Sequence, residues 1–334
     1  MIAKGSNTSV VTSSVRRIAL TALLCVAGHV CGAQPAFPVK PIRLIVAFAP
    51  GSINDAAARE LARHMHTTLG QPFVVDNKPG AGGIIGTDFV AKATADGYTL
   101  GLGASSQLVA NIGMHRSLPF NIERDITMVG LALKTEMAFI AAPDGPRTLK
   151  ELIARAKSDP KVLTFGSAGV GSINHVSGEA FARHTGIQMT HVPYKGAALA
   201  ALDVASNRID LVITGIASAG PLLEQERVRV LAISGEKRIA LLPKVPTIAE
   251  AGVSGFEAST WNGFFAPSRI PTAIKTQLNA TLNAALTDPA IVSFARQNGA
   301  EIMGPATPTD ADRFAARERA RWVPLIQSMK LAAQ

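Results

Sequence analysis

The sequence is short of most of the groups that carry chemistry. Its 334 residues hold only two cysteines, Cys25 and Cys31, and both fall within the first 33 positions. Those positions read as an export signal, 1–33: Lys4, Arg16 and Arg17 precede an apolar segment at 18–30, and Cys31-Gly32-Ala33 offers small residues to a signal peptidase. The apolar segment is too short to span a membrane comfortably. Cleavage near Ala33 leaves 301 of the 334 residues. That remainder has no cysteine, which excludes a disulfide, a thiolate nucleophile and a cysteine metal site. The alternative is a lipid anchor on Cys31, but Gly28-His29-Val30 lacks the small residue usually found before a lipidated cysteine.

Aromatic residues are scarce, at 5%, and no Lys/Arg cluster exceeds a pair. After position 33 there are 30 Lys and Arg against 24 Asp and Glu, a mild net charge of +6. Nucleic acid is therefore not an expected partner; the charge solvates the surface and helps to attract anions. No run of 18 apolar residues follows the signal, so a soluble exported protein is expected. Motifs are missing too. Neither HExxH nor GxxxxGK[ST] nor GxSxG occurs, and His64 and His66 lie on different helix faces. The glycine run 80–86, GAGGIIG, fails the dinucleotide pattern because Ile85 stands where the third glycine belongs. No metal and no cofactor is expected.

What is present is organised around residues 42–65. Ile42, Leu44, Ile45, Val46 and Phe48 make a run too continuously apolar for a half-exposed strand, as suits a strand covered on both faces. Pro50-Gly51 breaks it. Ser52, Asn54 and Asp55 favour a helix start, and Ala57, Leu61 and Met65 follow at intervals of four. The loop after a parallel strand lies where open α/β sheets place ligands, and a helix N-terminus presents free N–H donors to an anion.

The tetrapeptide Gly-Ser-Ile-Asn occurs at 51–54 and again at 171–174, each time between a β-rich run and a helix. Two strand-loop-helix units with matching loops predict two lobes facing each other across a cleft, and the length exceeds what one core covers. Strands are expected near 73–75, 98–103, 138–142, 162–167, 189–194, 210–214, 229–234 and 261–266, alternating with helices as in an α/β protein with parallel sheets. Two helices, from Pro271 and from Pro308, close the chain as packing. The expected division is discontinuous: 37–137 with 261–334 in one lobe, 138–260 in the other.

Candidate ligand contacts follow from this layout. The first loop supplies Gly51, Ser52, Ile53, Asn54 and Asp55, and the third strand ends in Ser105 and Ser106. The second loop supplies Ser167, Gly169, Val170, Gly171, Ser172 and His175, and Tyr194 adds a hydroxyl at another strand end. Asp55 reads equally as a helix-capping acid and as a ligand contact. His175 and Glu179 form an i,i+4 pair that either fixes the helix start or offers a polar group to a ligand; as a catalytic dyad with Ser172 they would need a third orienting group and an oxyanion hole.

The stretches FPVKPIRLIVAFAPGSINDAAAR (37–59), VVDNKPGAGGIIGTDFVAKATADGYTL (74–100), FGSAGVGSINHVSGEAF (165–181), HVPYKGAALAALD (191–203) and LLPKVPTIAEAGVSGFE (241–257) closely resemble the Bug-type receptors of tripartite tricarboxylate transporters. The resemblance covers nearly the whole chain after the signal. It implies a two-lobed periplasmic-binding-protein fold (type 2, Venus-flytrap), with a ligand cleft between the lobes and no catalysis. It further implies a small organic carboxylate held by backbone N–H groups and waters at loops 50–55 and 167–172, and membrane transporter subunits as partners of a monomer. Two positions depart from the family. Pro-Gly-Gly is here Pro50-Gly51-Ser52, and the proline usual after Tyr-Lys-Gly is Leu199. Two other functions stay open: an exported hydrolase using Ser172 and His175, and a ligand-sensing partner of a membrane regulator.

Overall fold

The computed structural model describes residues 1–2, 37–159 and 163–329. The signal segment carrying Cys25, Cys31 and the cleavage point at Ala33 lies outside the described residues. The chain divides between Val39 and Lys40, and everything below concerns the part from Lys40 onward.

Its strands run in the order β1 (Ile42–Val46), β2 (Phe73–Asn77), β3 (Thr99–Ala104), β4 (Ile126–Glu136), β5 (Ala138–Ala141), β6 (Thr164–Ser167), β7 (Thr190–Pro193), β8 (Leu211–Thr214), β9 (Arg229–Ile233), β10 (Ser259–Pro267) and β11 (Ala300–Ile302). They form two sheets, β11-β4-β10-β3-β1-β2 and β7-β6-β8-β5-β9. The helices that matter for the site are α1 (Ile53–Leu69), α2 (Asn111–Met114), α3 (Ile173–Thr185), α4 (Ala197–Ala205) and α5 (Pro308–Ser328).

Both sheets are mixed, where alternating strands and helices predict parallel ones. β1, β2 and β3 are parallel, as are β6, β7 and β8, but β10 runs antiparallel to β3 and β4, and β5 antiparallel to β8 and β9. Three strands are reversed: β11 returns antiparallel to β4 within its own sheet, while β5 and β10 enter from the other sheet. β5 follows β4 across Met137 alone, and β10 follows β9 through the irregular residues 234–258. A strand that arrives without a crossover helix on its own sheet is free of the handed parallel connection and inserts antiparallel.

The apolar character of these strands follows from cover on both faces. In β5, Phe139 and Ala141 join one core with Phe165, Phe181 and Ile213, while Ala138 and Ile140 join the opposite one with Val204 and Val212. Successive side chains point to opposite faces, so a strand buried on both sides has no alternation to show. β4 is eleven residues long, eight of them buried, and was not expected from the sequence. On α1, Ala57, Leu61 and Met65 are all at most 1% exposed, and Gly70 ends the helix with its N–H on the His66 carbonyl. The last helix starts with a capping box between Thr307 and Asp310. Asp312 on it accepts from the Met128 N–H at 2.8 Å, which ties α5 to β4.

Candidate ligand-binding site

The two Gly-Ser-Ile-Asn loops fold alike. Gly51 and Gly171 have φ of +80° and +78°, the left-handed region that a side chain disfavours. Ser52 and Ser172 are extended, at φ −70°, ψ 159° and φ −62°, ψ 153°, and cap their helices by accepting from the N–H of Asp55 (3.2 Å) and His175 (3.3 Å). In each loop the glycine N–H donates to the side chain four residues on: Gly51 to Asp55 Oδ2 at 2.9 Å, Gly171 to His175 Nδ1 at 3.2 Å. In each the asparagine anchors the helix start to a neighbouring strand. Asn54 Oδ1 accepts from Asn262 of β10 at 3.2 Å, and Asn174 donates to the Ile213 carbonyl of β8 at 2.9 Å.

The fifth position separates them electrostatically. The buried Asp55 carboxylate accepts from Gly51, from Asn77 Nδ2 at 2.9 Å and from Arg59 Nε at 3.1 Å, with Arg59 Nη2 at 3.0 Å from the other oxygen. Burial alone would raise its pKa, but the bonds from Arg59, Gly51 and Asn77 together hold it below the ordinary carboxylate range. Asp55 is therefore an anion whose oxygens already serve the protein. His175 is the opposite case. Its ring stacks on His191 at 3.6 Å and 11°, with Phe165 beside both. Burial, then the neighbouring His191, lowers the His175 pKa to about 4; burial lowers His191 to about 4 as well. Both rings are neutral at pH 7. With Nδ1 accepting from Gly171, the His175 proton sits on Nε2, 3.7 Å from Glu179, whose pKa burial raises. His191 is a site residue that sequence reading missed. Only the register of β6 against β7, with Phe165 opposite His191, brings the rings together.

The other candidates are placed as follows. Ser167 Oγ bonds His191 Nε2 at 2.7 Å and the Gly169 N–H at 3.0 Å, closing the second loop on itself. Ser105 is buried against Thr260 Oγ1 at 3.1 Å, and Ser106 donates to Gln107 Oε1 at 3.1 Å. Gln107 and Asn111 in turn donate to the Gly82 carbonyl, so the glycine run at 80–86 packs against the segment leading into α2. The Tyr194 hydroxyl, expected to face the cleft, donates instead to Asp203 on α4 at 2.7 Å, and burial together with that carboxylate pushes its pKa up to about 12. Ser172 Oγ donates to the Gly169 carbonyl at 2.8 Å while His175 Nδ1 takes the Gly171 N–H. The two side chains thus form no nucleophile–base pair in this arrangement.

The donors left over define the chemistry. The N–H groups of Gly51 and Gly171, expected to face an anion, are spent inside their loops. Those of Ile53, Asn54, Val170, Ile173 and Asn174 have no acceptor among the described residues. The first loop, the glycine run and Ser105-Ser106 all follow parallel strands and so share one end of the first sheet; the second loop and Tyr194 share the corresponding end of the second. These two ends meet through Met114. A Cβ built on Gly171 would collide with the Met114 sulfur, which reaches over from α2. No hydrogen bond joins the two loops directly among the described residues. Ile53 and Val170 remain exposed, at 43% and 47%, one apolar side chain per loop.

Known proteins resemble this chain in sequence and in fold. The family model described as "Tripartite tricarboxylate transporter family receptor" matches residues 57–331. A protein from the tcbD-tcbE intergenic region of Pseudomonas sp. strain P51 is 38% identical over 89% of this chain and 89% of its own length. Protein BugT of Bordetella pertussis is 35% identical over 87% of this chain and 90% of its own. Among solved structures, an R. palustris protein (Rpa4515) with adipate superposes with a TM-score of 0.81 at 35% identity, covering 89% of this chain and 99% of that one. MatC from Rhodopseudomonas palustris with bound malate superposes with a TM-score of 0.78 at 30% identity, covering 87% and 100%.

Proposed function

The chain belongs to the tripartite tricarboxylate transporter receptor family, of the Bug type, and on that premise we propose that it captures a small carboxylate-bearing metabolite in the periplasm and presents it to membrane transporter subunits. The first sheet, with residues 37–137 and 261–334, is one lobe of this receptor, and the second, with 138–260, is the other. The receptor works as a monomer, without cofactor and without a catalytic step.

One observation carries this reading: two helix N-termini of like geometry, at the matching ends of two sheets, each with unpaired N–H groups and each shaped by a glycine and a serine whose own backbone N–H groups are already spent. Such ends are made for an oxygen anion. Three or four charge-assisted bonds at about 1.5–3 kcal/mol each would supply most of the roughly 8 kcal/mol of micromolar binding, less the cost of closing the lobes. Because no free arginine meets the carboxylate at these loops, selectivity rests on what surrounds the ligand's other end. The adipate- and malate-bound relatives have ligands of this class.

A thermal-shift screen of mono-, di- and tricarboxylates, run beside generic ester turnover, tests the proposal. One class of acid should raise the melting temperature by a few degrees at a hundredfold excess over its Kd, with no ester consumed. A melting temperature indifferent to every acid would sink the receptor reading. Ester hydrolysis abolished by Ser172→Ala would establish the hydrolase instead.

A further inference from the structure

A cavity of about 530 Å³ lies between residues 112–123 and α5, and neither Gly-Ser-Ile-Asn loop lines it. Ile112, Leu118, Phe120 and Val323 make most of its wall apolar. Arg319 of α5 also lines it, with a side chain only 18% exposed. The Nε of that guanidinium is buried and has no hydrogen-bond partner. Glu123 Oε1 stands 3.9 Å away, beyond hydrogen-bond reach, on a side chain that is 77% exposed. Burial pulls the Arg319 pKa down, with Glu123 and Asp312 opposing, yet an arginine remains charged at any physiological pH. A buried charged donor without an acceptor is costly, and native structures rarely leave one unanswered.

We propose that this cavity is a second ligand site, which takes a small monocarboxylate with an apolar body. The carboxylate accepts from Arg319, and the hydrocarbon part rests on Phe120, Ile112 and Val323. The volume falls in the range of small-molecule sites, about 300–1,000 Å³, and an apolar wall with a few charged groups, here Arg319, Arg116 and Glu123, is their usual composition. Arg319 is the buried guanidinium of the wall; Arg116 also lines the cavity but is exposed to solvent, and Glu123 stands at the edge, so the buried position suits a single negative charge.

Benzoate and hexanoate are the probes, titrated into the signal-free chain by calorimetry and by methyl NMR. Resonances of Ile112 and Val323 should shift with saturation. Arg319→Met keeps the apolar stem and removes the donor, and should weaken benzoate at least tenfold. Glu123→Gln removes a competing carboxylate and should tighten it two- to fivefold, a gain that a purely structural role for either residue does not produce. Neither change should move the affinity of whichever acid binds the cleft. Should Arg319→Met fail to fold, Ala320→Phe, which fills the cavity from its rim, should block benzoate equally. Benzoate binding that survives both Arg319→Met and Ala320→Phe, or shifts confined to the loops at 51–55 and 171–175, would overturn the assignment. So would an Arg319 answered by water only, with no probe bound at millimolar concentration. A cleft that binds no acid would defeat the receptor reading but leave these outcomes intact.

Discussion

The loops at 51–55 and 171–175 share four residues and one backbone, and differ at the fifth. Where Asp55 stands, the loop is closed by an ion pair with Arg59 and an amide from Asn77. Where His175 stands, it is closed by a neutral ring stacked on His191. Both fifth residues do the same job, accepting the N–H of a glycine held at positive φ. The difference is therefore one of charge, set by partners that come from elsewhere in each lobe. A helix end can be prepared for an anion with a charged acceptor or a neutral one, provided its own surroundings satisfy it.

Exchanging the fifth residues should break the comparison most strongly. His175→Asp buries a carboxylate near Glu179 with no arginine to meet it, at an expected cost of about 3–5 kcal/mol, whereas Asp55→His strands a half-exposed Arg59 that water can resolvate, at roughly 2 kcal/mol. Chemical denaturation of the two variants measures this, and equal losses would mean that the partners do not distinguish the loops.

Acid should separate the loops next. His175 and His191 have folded pKa values of about 4 against an ordinary value of 6.5, so the unfolded chain binds protons first as pH falls. The stability present above pH 6.5 is lost progressively down to pH 4, by on the order of 3 kcal/mol per ring. Glu179 and Glu136, held high by burial, work against the loss, since their stability grows as they protonate. Asp55, with a lowered pKa, contributes only at lower pH, where its carboxylate must be protonated. Urea melts from pH 7 to 4 should show the slope in the wild type and a much flatter one in a His175→Asn/His191→Asn double variant.

The smallest effect concerns the glycines. A Cβ at Gly51 meets nothing within 4 Å, so Gly51→Ala should cost only the positive φ, about 1–2 kcal/mol. Gly171→Ala carries the same backbone cost and also displaces the Met114 side chain, a flexible end that can move. The two should be nearly alike in stability but unlike in ligand binding, with only Gly171→Ala recovered by adding Met114→Ala. Calorimetry with the acid found in the carboxylate screen decides it.

By itself the sequence determined the two loops. Gly-Ser-Ile-Asn contains its own turn, its cap and its anchor, all within five residues, and such local bonds form the same way in either lobe. The start of the last helix at Pro308 was legible for the same reason, its cap Thr307 standing just before it. What spans the fold was not. β4 escaped notice because a strand covered on both faces loses its alternation, and it pairs with β10 about 130 residues later. The reversed directions of β5 and β10 depend on how the chain passes between sheets, which no window of residues contains. The neutrality of His175 was likewise undecided until β7 laid His191 against it, and the Tyr194 hydroxyl until α4 brought up Asp203. Those groups take their state from desolvation and from neighbours distant in the chain, and only tertiary packing supplies either one.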